Sequence, residues 1–227
     1  MEYRQHRFRL PPGGVDLLLI RHGESQSARA GTRFPLCDGR ADPPLDPRGH
    51  EEAERVAKRL EGQRLSAIYV TPLRRTAQTA APLAERLGVE PLVEPDLREV
   101  GLGEWEGALF RIRVSENHPI AQRMFAEGRW DVIPGAESLD SFAARVRAGI
   151  ARIVAGHPDE RVAVFTHGGV IGMAVALATQ GRPFAFIGAD NASITHLAVV
   201  GDDWILRRFN DTGHLGTDFD HPPEPLT

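Results

Sequence analysis

The sequence predicts an α/β fold: a three-layer sandwich in which helices cover both faces of a mostly parallel sheet, with an antiparallel hairpin at the C-terminal edge. Short apolar segments alternate with amphipathic helical segments, the pattern of parallel strands joined by crossover helices. Near the C-terminus, two strand-like segments flank Gly201 and Asp202, a hairpin turn signal. The 227 residues are enough to bury the core of such a fold. We therefore expect one domain over residues 1–227.

Composition excludes several classes of partner. Hydrophobic residues make up 41% of the chain and charged residues 26%, as in globular proteins. A formal net charge of −4 gives no indication of nucleic-acid binding, and no stretch approaches the roughly 20 apolar residues of a membrane span. We therefore expect neither nucleic acid nor membrane as a partner. Cys37 is the only cysteine and the N-terminal segment lacks a signal-peptide core, so we expect a cytoplasmic location.

The first elements follow from local patterns. Residues 1–14 form a basic arm that ends in Pro and Gly, and the apolar run 15–20 predicts a buried strand. Residues 23–47 are rich in Gly, Pro, Ser and Asp and predict a long loop, which in a compact domain is usually functional. Residues 48–60 place apolar side chains on one helical face, so we expect a helix there.

A second strand and a second helix are predicted next. Residues 67–70 form a short apolar strand. Thr71 is predicted to cap the following helix, with Pro72 at its first position. That helix is expected to stop at Gly88, a typical helix C-terminal residue. Residues 90–94 are predicted to form another strand.

The second half of the chain holds an insertion and the remaining elements. Residues 100–135 mix charges with aromatic residues, and we expect them to form an insertion over the active site. An amphipathic helix follows at 139–155. The remaining predictions, in order, are a strand at 161–166, an apolar helix at 170–178, hairpin strands at 194–200 and 204–209, and a polar tail at 210–227.

The same residue types follow two of the predicted strands. The sequence Ile-Arg-His-Gly ends the first strand, and Phe-Thr-His-Gly ends the strand at 161–166. Ligands of open α/β sheets bind outside the carboxyl ends of the strands. His22 and His167 are therefore expected at one site. The glycines that follow them, Gly23 and Gly168, permit tight turns and close approach of the backbone to a ligand.

Arginines complete a predicted anion site. The strand at 67–70 leads to Arg74 and Arg75 in the first turn of a helix, and a helix N-terminus itself attracts anions. Together with Arg21, these side chains suit a phosphoryl group, because the guanidinium fork matches its oxygens. A neutral imidazole in such a site can attack phosphorus, while the cations offset charge in the transition state.

Departure of an alkoxide requires an acid, and the segment 97–107 offers three candidates, Glu99, Glu104 and Glu106. The residues alone do not choose among them. His50-Glu51-Glu52 does not have the spacing of a zinc-binding His-Glu-x-x-His motif. We interpret it as the solvated start of a helix and expect no metal.

Several segments, in this order, resemble the histidine phosphatase superfamily, with its phosphoglycerate mutase-like fold. They are residues 21–25, 39–45 with Gly49, 71–80, 97–99, 103–107 and 166–169. The resemblance implies that His22 is the phosphorylated nucleophile and Glu99 the proton donor. It implies that Arg21, Arg75 and His167 hold the phosphoryl group together with His22, and we add Gly168 to this phosphate-binding set. No metal or organic cofactor is expected.

The sequence departs from the family pattern in three respects. Many members carry an asparagine near the position of Ala28, and mutases usually carry an asparagine where Gly169 stands. The longer Arg-rich segment of the mutases, with consecutive prolines before the last strands, is also missing. The last two differences favour a phosphatase over a mutase.

We therefore predict a phosphomonoesterase that hydrolyses a small phosphorylated metabolite through a phosphohistidine on His22. The alternative is a cofactor-dependent phosphoglycerate mutase that uses the same phosphohistidine. It would need further cations for a carboxylate, for which the insertion offers Arg111, Arg113, Arg123 and Arg129. A third hypothesis is a catalytically silent module that binds phosphometabolites. The C-terminal edge hairpin offers a surface for a homodimer.

Overall fold

The computed structural model describes residues 3–216 of the chain. Within this range the strands are β1 (Val15–Arg21), β2 (Leu36–Cys37), β3 (Arg40–Ala41), β4 (Ala67–Val70), β5 (Leu92–Val93), β6 (Arg161–Thr166), β7 (Ile194–Val200) and β8 (Asp203–Asp211). The helices are α1 (Pro47–Leu60), α2 (Arg74–Leu87), α3 (Leu109–Ser115), α4 (Pro119–Glu127), α5 (Leu139–Gly156) and α6 (Gly168–Thr179). No helix in the described range is long and apolar enough to cross a membrane.

Six strands form the main sheet in the order β5-β4-β6-β1-β7-β8. The four strands β5, β4, β6 and β1 run parallel to one another, β7 pairs antiparallel with β1, and β8 closes the sheet as an antiparallel edge. Strands β2 and β3 form a separate small hairpin inside the long loop. The predicted fold class is therefore confirmed, including the antiparallel C-terminal hairpin.

Side chains of β1 alternate between two cores, as the period of two in a strand requires. Leu17 and Leu19 pack against apolar residues of α5 and α6 on one face of the sheet. Leu18 and Ile20 pack against α1 and α2 on the other face. Because central parallel strands are covered on both faces, they are apolar throughout, which is why the sequence shows them as short continuous runs.

The start of α2 differs from the prediction. The helix begins at Arg74, and the preceding Leu73 provides no side-chain cap. The predicted capping role of Thr71 is therefore wrong, and Pro72 lies in the turn before the helix. The Thr71 hydroxyl instead accepts a hydrogen bond from the Leu73 amide at 3.3 Å and contacts the His167 ring at 3.0 Å.

The long loop is held against the start of α1. A Cβ on Gly23 would lie 2.5 Å from the Gly49 carbonyl oxygen, and a Cβ on Gly49 would collide with the Glu24 carbonyl. Glycine is therefore required at both positions. Glu52 is buried and accepts a hydrogen bond from the Glu24 amide at 2.8 Å, so the interpretation of this helix start as solvated is wrong for Glu52.

The predicted insertion contains α3 and α4, and its buried residues join the core on the α5 and α6 face, among them Trp105, Met124 and Trp130. Strand β8 continues to Asp211, so it overlaps the start of the predicted tail at 210–227. Residues 217–227 of that tail, and residues 1–2 of the predicted arm, lie outside the described residues.

Candidate active site

Three parallel strands bring the predicted site residues to one edge of the sheet. His22 follows β1, His167 follows β6, and Arg75 lies in the first turn of the helix after β4. The centroids of the two imidazole rings are 5.2 Å apart, and the ring planes meet at 63°. Both histidines are buried. The His22 amide donates to the Thr166 carbonyl at 2.9 Å, which ties the end of β1 to the end of β6.

The hydrogen bond of His22 defines its tautomer. Nδ1 lies 2.7 Å from the Gly23 carbonyl oxygen, which can only accept, so Nδ1 carries the proton. Nε2 is then the unprotonated nitrogen. Burial, followed by the charges of Arg75 and Arg21, holds the pKa of His22 well below its usual value. At neutral pH the ring is therefore neutral, the form in which an imidazole acts as a nucleophile.

His167 is fixed by the threonine that the sequence assigned to a helix cap. Its Nε2 lies 3.0 Å from the Thr71 hydroxyl oxygen. Its Nδ1 is buried and has no hydrogen-bond partner within residues 3–216. Burial, Arg75 and His22 lower the pKa of His167, so this ring is also neutral at pH 7. An unpaired buried nitrogen beside His22 is suited to a ligand oxygen.

The two neighbouring arginines at the start of α2 have different surroundings. Arg75 is buried, lines the cavity and donates from Nη1 to the Ala41 carbonyl at 2.9 Å. Burial lowers the pKa of Arg75 to about 10, so the guanidinium stays charged at neutral pH. Arg74 is about half exposed and pairs with Asp42 at 2.8 Å. Arg21 also lines the cavity, and its Nη1 donates to the Ala189 carbonyl at 2.5 Å.

The three candidate acids differ in their hydrogen bonds and in their exposure. Glu99 is half-buried and lines the cavity, with Oε1 accepting from the Val100 amide at 2.9 Å and Oε2 lying 3.4 Å from the Gly169 amide. Glu106 also lines the cavity, but its two oxygens accept from the amides of Ala41 and Leu102. Glu104 is exposed. The geometry therefore favours Glu99, whose Oε2 has, within the described residues, only this long amide contact, at the start of the helix that follows His167.

Arg145, which the sequence analysis did not identify, and Gly169 position Glu99. Arg145 donates to the Glu99 carbonyl at 3.0 Å and forms an ion pair with Glu137 at 2.7 Å. A Cβ on Gly169 would lie 2.5 Å from Glu99 Oε1, so a side chain at this position would displace the carboxylate. Neither contact could be inferred from spacing, because both partners come from distant segments.

Among the four insertion arginines considered for a mutase, only Arg111 lines the cavity as far as the described residues show. Its guanidinium donates to the Ser25 hydroxyl at 2.7 Å and to the Gln26 carbonyl at 2.9 Å. Arg113, Arg123 and Arg129 form ion pairs with neighbouring acidic residues instead. The insertion therefore supplies one cation to the site.

Gly168 lines the cavity at the N-terminus of α6, where unpaired amides face outward. Four arginines (Arg21, Arg40, Arg75 and Arg111) and two glutamates (Glu99 and Glu106) line the resulting pocket with the neutral His22, against which the neutral His167 packs. The arginines and the neutral imidazoles suit a phosphate dianion. Over residues 3–216, no group of three or more His, Cys, Asp or Glu side chains is arranged to hold a metal ion.

Comparison with known proteins places the chain in a family. The model of the histidine phosphatase superfamily (branch 1) matches residues 17–212. Phosphoglycerate mutase-like protein 4 of Arabidopsis thaliana is 35% identical, covering 88% of this chain and 87% of the relative. Phosphoserine phosphatase 1 of Hydrogenobacter thermophilus is 33% identical, covering 89% and 95%.

A solved structure gives the same result. Mycobacterial glucosyl-3-phosphoglycerate phosphatase in complex with VO3 superposes with a TM-score of 0.72 and 31% identity, covering 87% of this chain and 99% of that one. Sequence and structure therefore agree over most of the chain: it belongs to the histidine phosphatase superfamily, branch 1.

Proposed function

We propose that this histidine phosphatase is a phosphomonoesterase, which hydrolyses a small phosphorylated metabolite through a phosphohistidine on His22. The observation that carries the proposal is the neutral His22 ring, whose Nε2 is unprotonated in a buried pocket lined by Arg21 and Arg75. The relatives named as phosphoserine phosphatase and glucosyl-3-phosphoglycerate phosphatase support a small phosphate ester as the substrate.

In the first step, His22 Nε2 attacks phosphorus in line with the ester oxygen. The N–P bond forms as the P–O ester bond breaks. Glu99 in its carboxylic acid form donates its proton to the departing oxygen, so that an alcohol leaves. Arg21 and Arg75 offset the charge that develops on the three equatorial oxygens. His167 holds one of these oxygens through its buried Nδ1, and Gly168 binds another through its amide.

In the second step, a water molecule attacks the phosphohistidine. The carboxylate of Glu99 now takes a proton from this water, and the N–P bond breaks to release inorganic phosphate. His22 returns to its neutral form with the proton on Nδ1, where the Gly23 carbonyl accepts it. The cycle needs neither a metal nor an organic cofactor.

The shortage of insertion cations in the pocket favours hydrolysis over the mutase alternative. A mutase must hold the carboxylate of a phosphoglycerate, and in the described part of the chain only Arg111 of the four insertion arginines lines the pocket. The cytoplasmic location stays a prediction, as does a homodimer formed through the free edge of β8.

The two reactions are separated by following the phosphoryl group. The protein is incubated with p-nitrophenyl phosphate, with and without a metal chelator, and with phosphoglycerates plus the bisphosphorylated primer. We expect inorganic phosphate to be released in equal amount to the nitrophenol, with the rate unchanged by the chelator. Interconversion of the phosphoglycerates without release of phosphate would contradict the proposal, and so would loss of activity on chelation.

The role of Glu99 predicts a dependence on the leaving group. For Glu99→Gln we expect kcat/KM for an alkyl phosphate to fall by about 10² to 10⁴, since an alkoxide needs the proton. For p-nitrophenyl phosphate, whose leaving group needs no proton, kcat/KM should be nearly retained while kcat falls, because attack of water still requires the base. Steady-state kinetics on both esters measure this.

Glu104→Gln is the matched control, since Glu104 is an exposed glutamate of the same segment. It should leave both esters unaffected. An equal loss of kcat/KM on the two esters in Glu99→Gln would argue against proton donation by this residue.

A further inference from the structure

Large apolar side chains line the cavity that contains the phosphoryl site, among them Phe34, Leu102, Phe110, Phe125, Trp130 and Ile187. Four of these six come from the segment between β5 and α5. We call these six residues the apolar wall.

Ring contacts hold several side chains of the wall in place. The rings of Phe110 and Trp130 are 5.9 Å apart, and Trp130 packs on Phe184 at 4.7 Å. Phe125 contacts the same Phe184 ring at 6.4 Å but leaves 37% of its surface exposed. Apolar side chains that line a pocket around a few polar groups are typical of a small-molecule binding site.

Three of the four lining arginines are assigned to the phosphoryl group of the substrate. Arg21, Arg75 and Arg111 line the same cavity as His22, and after burial their charges lower the pKa of its ring. They match the dianion of a phosphate monoester. A carboxylate elsewhere on the substrate would have to find another cation.

Apart from Glu99, which the proposed mechanism uses, the remaining charged side chains of the lining are Arg40 and Glu106, and both have partners within the protein. Arg40 donates from Nε to the Glu99 carbonyl at 3.3 Å and forms an ion pair with Glu137 at 3.6 Å. Glu106 accepts from two backbone amides. A substrate carboxylate or ammonium against the apolar wall would therefore lose its hydration without gaining a partner, which is costly.

We propose that the physiological substrate is a phosphate monoester of an apolar alcohol, aromatic or alkyl, that carries neither a carboxylate nor an ammonium group. The proposal rests on the phosphomonoesterase function proposed above. It separates this chain from relatives named for phosphoserine and for glucosyl-3-phosphoglycerate, whose alcohols are polar. The phosphoryl group would occupy the site at His22, and the alcohol would lie along the wall.

The test compares esters with leaving groups of similar chemistry. We measure kcat/KM for n-hexyl phosphate, ethyl phosphate, O-phosphoserine and 3-phosphoglycerate, all of which release an aliphatic alcohol. Hexyl phosphate should exceed the two polar esters by at least about 10-fold, the scale on which a hydrophobic pocket discriminates. Equal or faster hydrolysis of either polar ester overturns the inference while leaving the proposed function intact. If none of the four esters is hydrolysed, the proposed function itself is overturned.

A pair of phenylalanine variants distinguishes loss of substrate binding at the wall from general effects on folding. Phe125→Ala should lower kcat/KM for hexyl phosphate by about 5- to 10-fold, mainly through KM, and change ethyl phosphate much less, because the shorter chain has less apolar surface to bury against the wall. Phe8→Ala is the matched control, since Phe8 is 39% exposed and packs on Arg207 outside the cavity. Equal losses on hexyl and ethyl phosphate in Phe125→Ala, or the same change in Phe8→Ala, would overturn the proposal.

Discussion

Replacing His22 by alanine is expected to lower kcat for an aryl phosphate by about 10⁴-fold or more, because the variant has no nitrogen that can form the covalent intermediate. The ring is fixed by the Gly23 carbonyl and is neutral, so the wild-type protein presents a nucleophile at pH 7. Phosphate release is measured for both proteins under single-turnover and steady-state conditions. Intact mass of the wild type, quenched at alkaline pH where phosphohistidine survives, should show one added phosphoryl group.

Two comparisons make this result specific. The His22→Ala protein should show no added phosphoryl group, yet it should still bind vanadate through Arg21, Arg75 and His167, which demonstrates that the pocket remains folded. His50→Ala, at an exposed histidine of α1, should keep full activity. A phosphoryl group still attached to the His22→Ala protein, or activity near that of the wild type, would exclude the proposed mechanism.

Much of the fold could be predicted because the central strands are buried on both faces. The apolar runs at 67–70, 161–166 and 194–200 coincide with β4, β6 and β7, because strands covered on both faces favour apolar residues along their length. The start of α2 could not be predicted in this way. The hydroxyl of Thr71 resembles a helix cap locally, but a tertiary contact with His167, 96 residues away, takes precedence.

Some residues of the candidate site could likewise be predicted from the sequence, and others could not. His22 and His167 could be placed together from sequence, because neighbouring parallel strands deliver the residues that follow them to one edge of the sheet. The choice of Glu99 over Glu106 by geometry depends on which backbone amides donate hydrogen bonds to each carboxylate, and those amides come from segments far apart in the chain. Arg111 lies on α3, in an insertion whose sequence shows no clear period, so its approach to the pocket had no local signal.

Truncation of Arg75 to alanine is expected to lower kcat/KM by about 10³- to 10⁵-fold, the scale for removing an arginine that stabilises a transferring phosphoryl group. The side chain is buried beside both histidines and remains charged, so its loss removes a cation where water cannot replace it. Arg75→Lys should recover only part of the activity, because an ammonium cannot reproduce the bidentate fork. Kinetics and vanadate affinity of both variants provide the measurement.

The adjacent residue supplies the control. Arg74 has the same chemistry and the same helix turn, but its guanidinium pairs with Asp42 at 2.8 Å and is about half exposed. The ion pair contributes about 0 to 1 kcal/mol, and the Arg74 amide would still donate to Asp42 in Arg74→Ala. Activity of Arg74→Ala should therefore stay within about 3-fold of the wild type by the same energy scale. Similar losses in the two alanine variants would mean that the charge of the helix terminus, rather than the buried fork of Arg75, acts on the phosphoryl group.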